Sequence, residues 1–208
     1  MGDVLAVYER PHNPAAPVIC MDEQPVQLVK ETRQPIPGSA GRPTRVDYEY
    51  ERNGTAAIFL FTEPKAGWRK VAVREHRTRL DWAFEIRKLL EGRYEGVPKL
   101  TLIMDNLNIH TTGSLYEAFP PAEARRLAQR LDIHYTPKHG SWLNIAENEL
   151  SALTRQCLAR RIATLREMRV QVGVWQAKRN NLRTLVRWRF TIDRARERLR
   201  RVYPGIQD

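Results

Sequence analysis

The chain has 208 residues, 42% hydrophobic and 28% charged, with 35 Lys+Arg against 24 Asp+Glu. That length suits one domain with a short appendage, and no run of about twenty apolar residues is present to span a membrane. Residues 1–150 hold 20 Lys+Arg and 20 Asp+Glu, whereas residues 151–208 hold 15 and 4, so the whole net charge of +11 sits in the C-terminal quarter. Such a block either faces a polyanion, most often nucleic acid, or is a solvated arginine-rich helix face. The start, Met1-Gly2-Asp3-Val4, carries an acid early and lacks the apolar stretch of a signal peptide. Cys20 and Cys157 lie in apolar patterns and read as buried thiols of a reducing, cytoplasmic compartment. No histidine stands at ligand spacing to make them a zinc site.

In chain order, a short helix over Asp3–Glu9 precedes Pro17-Val18-Ile19-Cys20-Met21, an apolar, β-rich run that delivers Asp22 and Glu23 at its end. Residues 34–47 are rich in Pro and Gly and form an excursion loop, in which Gly41-Arg42-Pro43 reads as a turn. Tyr48–Arg52 alternates, Asn53-Gly54 signals a hairpin turn, and Ala56–Phe61 is the second strand. After a turn at Glu63–Gly67, Trp68–Val73 is the third, giving an antiparallel meander. Thr78 or Asp81 caps a helix over Asp81–Glu91, with Trp82, Ile86, Leu89 and Leu90 on its apolar face, and Gly92 ends it.

Leu100–Met104 is a buried strand that delivers Asp105. A helix over Leu115–Arg130, broken near Pro120-Pro121, leads to a last strand at Ile133–Thr136. A helix over Asn144–Arg161 puts Ala146, Leu150, Leu153 and Cys157 on one face, with Glu147 in its first turn. Basic helices follow Thr164, through Trp175, Leu182, Trp188 and Leu199. The order predicts an α/β fold, a mixed five-stranded sheet with helices on both faces. The domain would run over residues 1–163, with a basic helical C-terminal extension over 164–208.

Three acids stand out. If the first and fourth strands are neighbours, Asp22 and Asp105 share one rim, and Glu147 can pack over it from the helix after the last strand. Hard oxygen ligands without Cys or His select Mg²⁺ or Mn²⁺. Three such carboxylates can hold two ions about 3.5–4 Å apart, one activating a water or 3′-hydroxyl and the other the leaving 3′-oxygen of a phosphodiester. Each acid also has a plainer reading. Asp22 and Asp105 could end strands in turns. Glu147 stands three residues after Asn144, the capping-box spacing. Glu149 points about 200° around the helix from Glu147, so both cannot face one ion.

Asp105-Asn106-Leu107-Asn108-Ile109-His110-Thr111 resembles the second-aspartate motif of DDE transposases of the IS630 group, in the Tc1/mariner superfamily. The stretch from Thr136 to Glu147 (TPKHGSWLNIAE) is similar to that group's third-acid motif, and Val18–Glu23 to its first-aspartate strand. Arg45–Tyr50 and Asn53–Ala56 add to the resemblance, which covers residues 5–205.

The resemblance implies an RNase H-like fold and a triad of Asp22, Asp105 and Glu147 that holds Mg²⁺ or Mn²⁺. It implies cleavage at transposon ends and strand transfer into double-stranded DNA, typically at TA, by a homodimer assembled on the DNA. Transposases of this group carry helix-turn-helix domains ahead of the catalytic domain. This sequence begins just before that domain, as a fragment, one frame of a split element or a decayed copy would, with end recognition left to a separate chain. Lys138 and His139 on the loop before Glu147, and Arg155, Arg187 and Arg189 beyond it, are candidate DNA-backbone contacts. His110 either contacts phosphate or the metal's outer ligands, or hydrogen-bonds locally after its strand. A non-catalytic DNA-binding remnant and a different RNase H-like nuclease are the alternative functions.

Overall fold

The computed structural model describes residues 1–43, 45, 47–138 and 140–198. Strands β1 (Val18–Glu31), β2 (Tyr50–Glu63), β3 (Trp68–Arg74), β4 (Leu100–Met104) and β5 (Leu131–Tyr135) form one sheet in the order β3-β2-β1-β4-β5. The first three strands are the expected antiparallel meander, while β4 and β5 add in parallel beside β1. The apolar run Leu100–Met104 sits next to the sheet's centre and is buried at every position, which is why it lacks polar alternation.

Helices cover both faces. On one, helix α1 (Gly2–Glu9), α5 (Ile145–Leu153) and α6 (Leu165–Asn181) pack with Cys20, Ile58, Leu60 and Ile103. On the other, α2 (Arg79–Glu91), α3 (Gly113–Ala118) and α4 (Pro121–Gln129) pack with Ile19, Met21, Phe59, Phe61, Leu102 and Met104. Alternate residues of β1, β2 and β4 thus supply the two cores. A final helix, α7, spans Ile192–Arg198. Leu199, placed by its sequence in the basic tail, lies outside the described residues.

Four local expectations change. The first strand does not end at Asp22 but runs on to Glu31, because β2 continues to pair with it after its pairing with β4 stops at Cys20. Asn53-Gly54 is not a hairpin turn. Both of its flanks pair with β1, and the two residues face Leu28 alone as a β-bulge, with Gly54 at φ +88°. The helix expected from Leu115 begins earlier, at Gly113, and its expected break at Pro120-Pro121 divides it into α3 and α4, with Pro121 opening the second. The predicted helix over Asn144–Arg161 stays α-helical only to Leu153 and closes in a single π turn, Thr154–Leu158.

α2 begins as its sequence suggests. The Thr78 side chain accepts from the Asp81 backbone N–H, and the Asp81 carboxylate accepts from the Thr78 N–H. α6 lies against β3 and buries Met168, Val172 and Trp175 in the same core as β1 and α5. Two of its polar side chains reach β3 main chain, where Gln176 Oε1 accepts from Val71 N–H (2.6 Å) and Asn180 Oδ1 from Arg69 N–H (2.9 Å). No helix among the described residues is long and apolar enough to cross a membrane.

Candidate active site: an acidic rim at the end of the parallel strand pair

The parallel register sets the geometry. Val18 pairs with Thr101, Ile19 with Leu102 and Cys20 with Ile103. Carried two residues further, that register puts Asp22 level with Asp105. The two also share a face, since each follows by two positions a residue of the α5-side core, Cys20 or Ile103. β4 ends at Met104, so the β4 side of Asp22 opens where the pairing stops.

α5 crosses that face. Its N-cap Asn144 is wholly buried and does two jobs: Oδ1 accepts from Ala146 N–H (3.1 Å), and Nδ2 donates to the Met21 carbonyl oxygen (2.9 Å). The helix start is thereby fastened to the residue before Asp22. Further along, Gln24 and Thr154 hydrogen-bond each other at 3.1 and 3.2 Å. Gln24 follows Asp22 by two on the strand and Thr154 follows Glu147 by seven on the helix, so the Glu147 side of α5 overlies the Asp22 side of β1. Asn144 caps the helix through Ala146 N–H rather than through the Glu147 N–H that a capping box would use, and Glu147 is left half-buried. 

The electrostatics agree. Burial pushes the Asp22 carboxyl up to about 7, against the pull of the Glu23 backbone N–H, which donates to Asp22 Oδ1 at 2.8 Å. The charges of Asp105, Glu147 and Glu23 raise it further. Among the described residues no three His, Cys, Asp or Glu side chains are drawn together tightly enough to hold a metal ion. The donor set, all hard oxygen on two strand ends and a helix, fits Mg²⁺ or Mn²⁺, and a divalent cation would relieve the like-charge crowding that lifts Asp22.

Glu149, two residues on, faces the other way. Its buried carboxylate meets Arg69 Nε at 3.0 Å and Arg179 Nη2 at 2.8 Å. Arg69 is itself buried and donates to the carbonyl oxygens of Gly67, Arg179 and Thr184. This cluster ties α5 to β3 and α6.

Glu23, a spare acid by sequence, is buried on the opposite face of β1 and accepts from His110 Nε2 at 2.8 Å. Arg77, exposed in the β3–α2 loop, brings Nε to 3.9 Å from Glu23 Oε2. Neither contact had a signal in sequence, since both join residues far apart in the chain. The candidate DNA contacts are more scattered. Lys138 and Arg155 are exposed on the segments before and after Glu147, with Arg155 donating to Ser151 Oγ. Arg187 and Arg189 are exposed on the segment before α7, held where Val186 N–H donates to Pro64 O and Phe190 meets the Trp142 ring edge-on at 5.3 Å. His139 lies outside the described residues.

A mixed five-stranded sheet of three antiparallel and two parallel strands, with helices on both faces and acids at the end of the central parallel pair, defines an RNase H-like α/β domain. Residues 17–169 match the family model of the DDE superfamily endonucleases, and the chain belongs to that family. Two solved structures share its fold. The Mos1 mariner paired end complex with Mn aligns at TM-score 0.55 and 14% identity, over 88% of this chain and 54% of that one. The Mos1 strand transfer complex aligns at 0.55 and 13%, over 88% and 53%. The chain thus spans about half the length of the Mos1 chains it matches. Comparison with curated proteins gave no match.

Proposed function

We propose that this chain is the catalytic domain of a DNA transposase of the IS630 type, which cleaves phosphodiester bonds at transposon ends and joins them to target DNA. The observation that carries the reading is the parallel register of β1 and β4, which, carried two residues beyond Cys20 and Ile103, brings Asp22 level with Asp105 under the helix that bears Glu147. Family membership supports it, and so does the fold shared with Mos1, whose solved complexes are a paired end complex with Mn and a strand transfer complex.

In this account Asp22, Asp105 and Glu147 hold Mg²⁺ or Mn²⁺, two ions in all. When bound, the ions would activate the attacking hydroxyl and offset the charge that develops on the leaving 3′-oxygen. The chain's own work is positioning. β1 and β4 fix two carboxylates on one rim. Asn144 fixes the start of the helix that carries the third. Reaction is by in-line attack, with no side chain forming a covalent intermediate.

Double-stranded DNA is the partner, with TA the expected target. Lys138, Arg155, Arg187 and Arg189, with His139, contribute backbone contacts. Two copies assemble on the DNA, in the bacterial cytoplasm at the nucleoid. Intact acids at all three positions disfavour a non-catalytic remnant.

Nicking of supercoiled plasmid in Mg²⁺ or Mn²⁺ tests the reading. Asp105→Asn should abolish it while the circular dichroism spectrum and gel-filtration profile stay those of the parent chain. Nicking that survives the substitution contradicts the assignment.

A further inference from the structure

Behind the acidic rim lies a buried hydrogen-bonded pair that cutting DNA does not by itself require. The side chains of His110 and Glu23 are 0% and 1% exposed. Both ring nitrogens of His110 face acceptors. Nε2 donates to Glu23 Oε1 at 2.8 Å, and Nδ1 donates to the Asp105 carbonyl oxygen at 3.0 Å. Asp105 Oδ1 stands 2.7 Å from the same Nδ1, yet the N–H is aimed at the carbonyl, so Oδ1 has no hydrogen bond of its own. The ring therefore lies between the side chains of two acids.

The surroundings fix that ring. Trp82 lies 6.2 Å away, centroid to centroid. The loop is pinned where His110 N–H donates to Leu107 O, Tyr135 Oη to His110 O (2.6 Å) and Ser114 Oγ to Ile109 O (2.8 Å). Glu23 comes from the opposite face of β1 to Asp22, so the bridge passes beneath the strand ends and reaches Asp105 from below.

We propose that His110 is a positioning residue for Asp105: anchored from behind by Glu23, it spans the side chain and main chain of Asp105 and sets the direction in which that carboxylate faces the rim. Two features favour this over simple core filling. Burying polar side chains is costly unless their hydrogen bonds are made, so an apolar residue would serve better as filler. Of the two rim aspartates, Asp105 also receives no backbone N–H at its carboxylate, whereas Asp22 has that of Glu23. Carboxylates that hold metals are oriented by such outer partners, whose loss costs affinity.

The inference rests on Asp105 being a metal-holding carboxylate, and the test separates the two. Mn²⁺ affinity of the full chain is measured by electron paramagnetic resonance for the parent, D105N, H110N and H110Q. Asparagine places its amide nitrogen where Nδ1 stands, glutamine where Nε2 stands. Thermal unfolding without metal is recorded for each.

H110Q keeps the Glu23 contact, loses Asp105 and should weaken Mn²⁺ binding about 10–100-fold. H110N should stay within about threefold of the parent chain, although both variants lose comparable thermal stability. Equal weakening in the two variants, or parent-like binding by H110Q, overturns the positioning role. If D105N itself binds Mn²⁺ like the parent, it is the assignment of Asp105 that fails. Should H110Q not fold, H110A takes its place beside H110N. Alanine keeps neither contact and should lose the affinity that asparagine keeps, and equal affinities overturn the proposal.

Discussion

The parallel register that ends at Cys20 and Ile103, carried two residues further, brings Asp22 of β1 level with Asp105, which directly follows β4. The crowding that follows puts Asp22 in an environment where burial and the charges of Asp105 and Glu147 all disfavour its ionised form. The same crowding disposes the rim toward a divalent cation.

Removing one of these charges should stabilise the protein when no metal is present. Asp22→Asn is expected to raise the melting temperature in EDTA by about 2–4 °C, the shift that about 1 kcal/mol makes in a domain of this size. Added Mg²⁺ should raise the parent's melting temperature and leave the variant's unchanged. A variant that melts lower than the parent in EDTA contradicts the electrostatic reading.

Glu147 and Glu149 should behave oppositely. Glu149 is buried between Arg69 and Arg179, so Glu149→Ala strands two guanidinium groups and should cost about 3–5 kcal/mol in urea unfolding. Glu147→Gln should cost less than about 1 kcal/mol there, as a substitution at a half-exposed site without such a partner, yet should remove plasmid nicking. Equal stability losses would show that the two acids do not face different ways.

Asn144 is predicted to matter through both of its bonds. Asn144→Asp keeps a cap for Ala146 N–H but loses the donor to Met21 O. It should destabilise by about 1–3 kcal/mol, the cost of a buried acceptor left unpaired beside a new charge. Nicking should fall further than stability alone accounts for, because the Glu147 helix is no longer fastened beside Asp22. Activity that tracks the folded fraction would leave Asn144 as a cap and nothing more.

The acid limb of the stability profile should depend on Glu85. Burial works to raise its pKa, but Arg74, Lys70 and Lys88 outweigh burial and hold it below the ordinary carboxylate value. A depressed carboxyl stabilises the fold above its unfolded-state pKa, and that contribution is lost as pH falls through the folded one. Glu85→Gln should therefore lower stability at neutral pH and flatten the loss of stability between the ordinary carboxylate range and more acidic pH. Parallel profiles for parent and variant would show that Glu85 carries none of the acid sensitivity.

Local patterns made much of the fold legible. Apolar runs such as Leu100–Met104 and Ala56–Phe61 fall inside strands, and the Thr78–Asp81 spacing marks the start of α2. The site was legible in its residue types, because an acid followed each of two buried runs and another opened a helix. Pairing was the hidden part. Asn53-Gly54 carries a turn signal, and only its registry with Leu28 makes it a bulge. The end of β1 was misplaced because pairing with β2 outlasts the apolar pattern. Arg69 and Glu149 lie 80 positions apart and Glu23 and His110 87 apart, so no local period could join them.

The most direct measurement is a crystal structure of the chain soaked in Mn²⁺, with an anomalous map recorded at the manganese edge. The account predicts manganese between the Asp22 and Asp105 carboxylates, with Glu147 turned toward it. No manganese at that rim, or manganese bound only elsewhere, contradicts it.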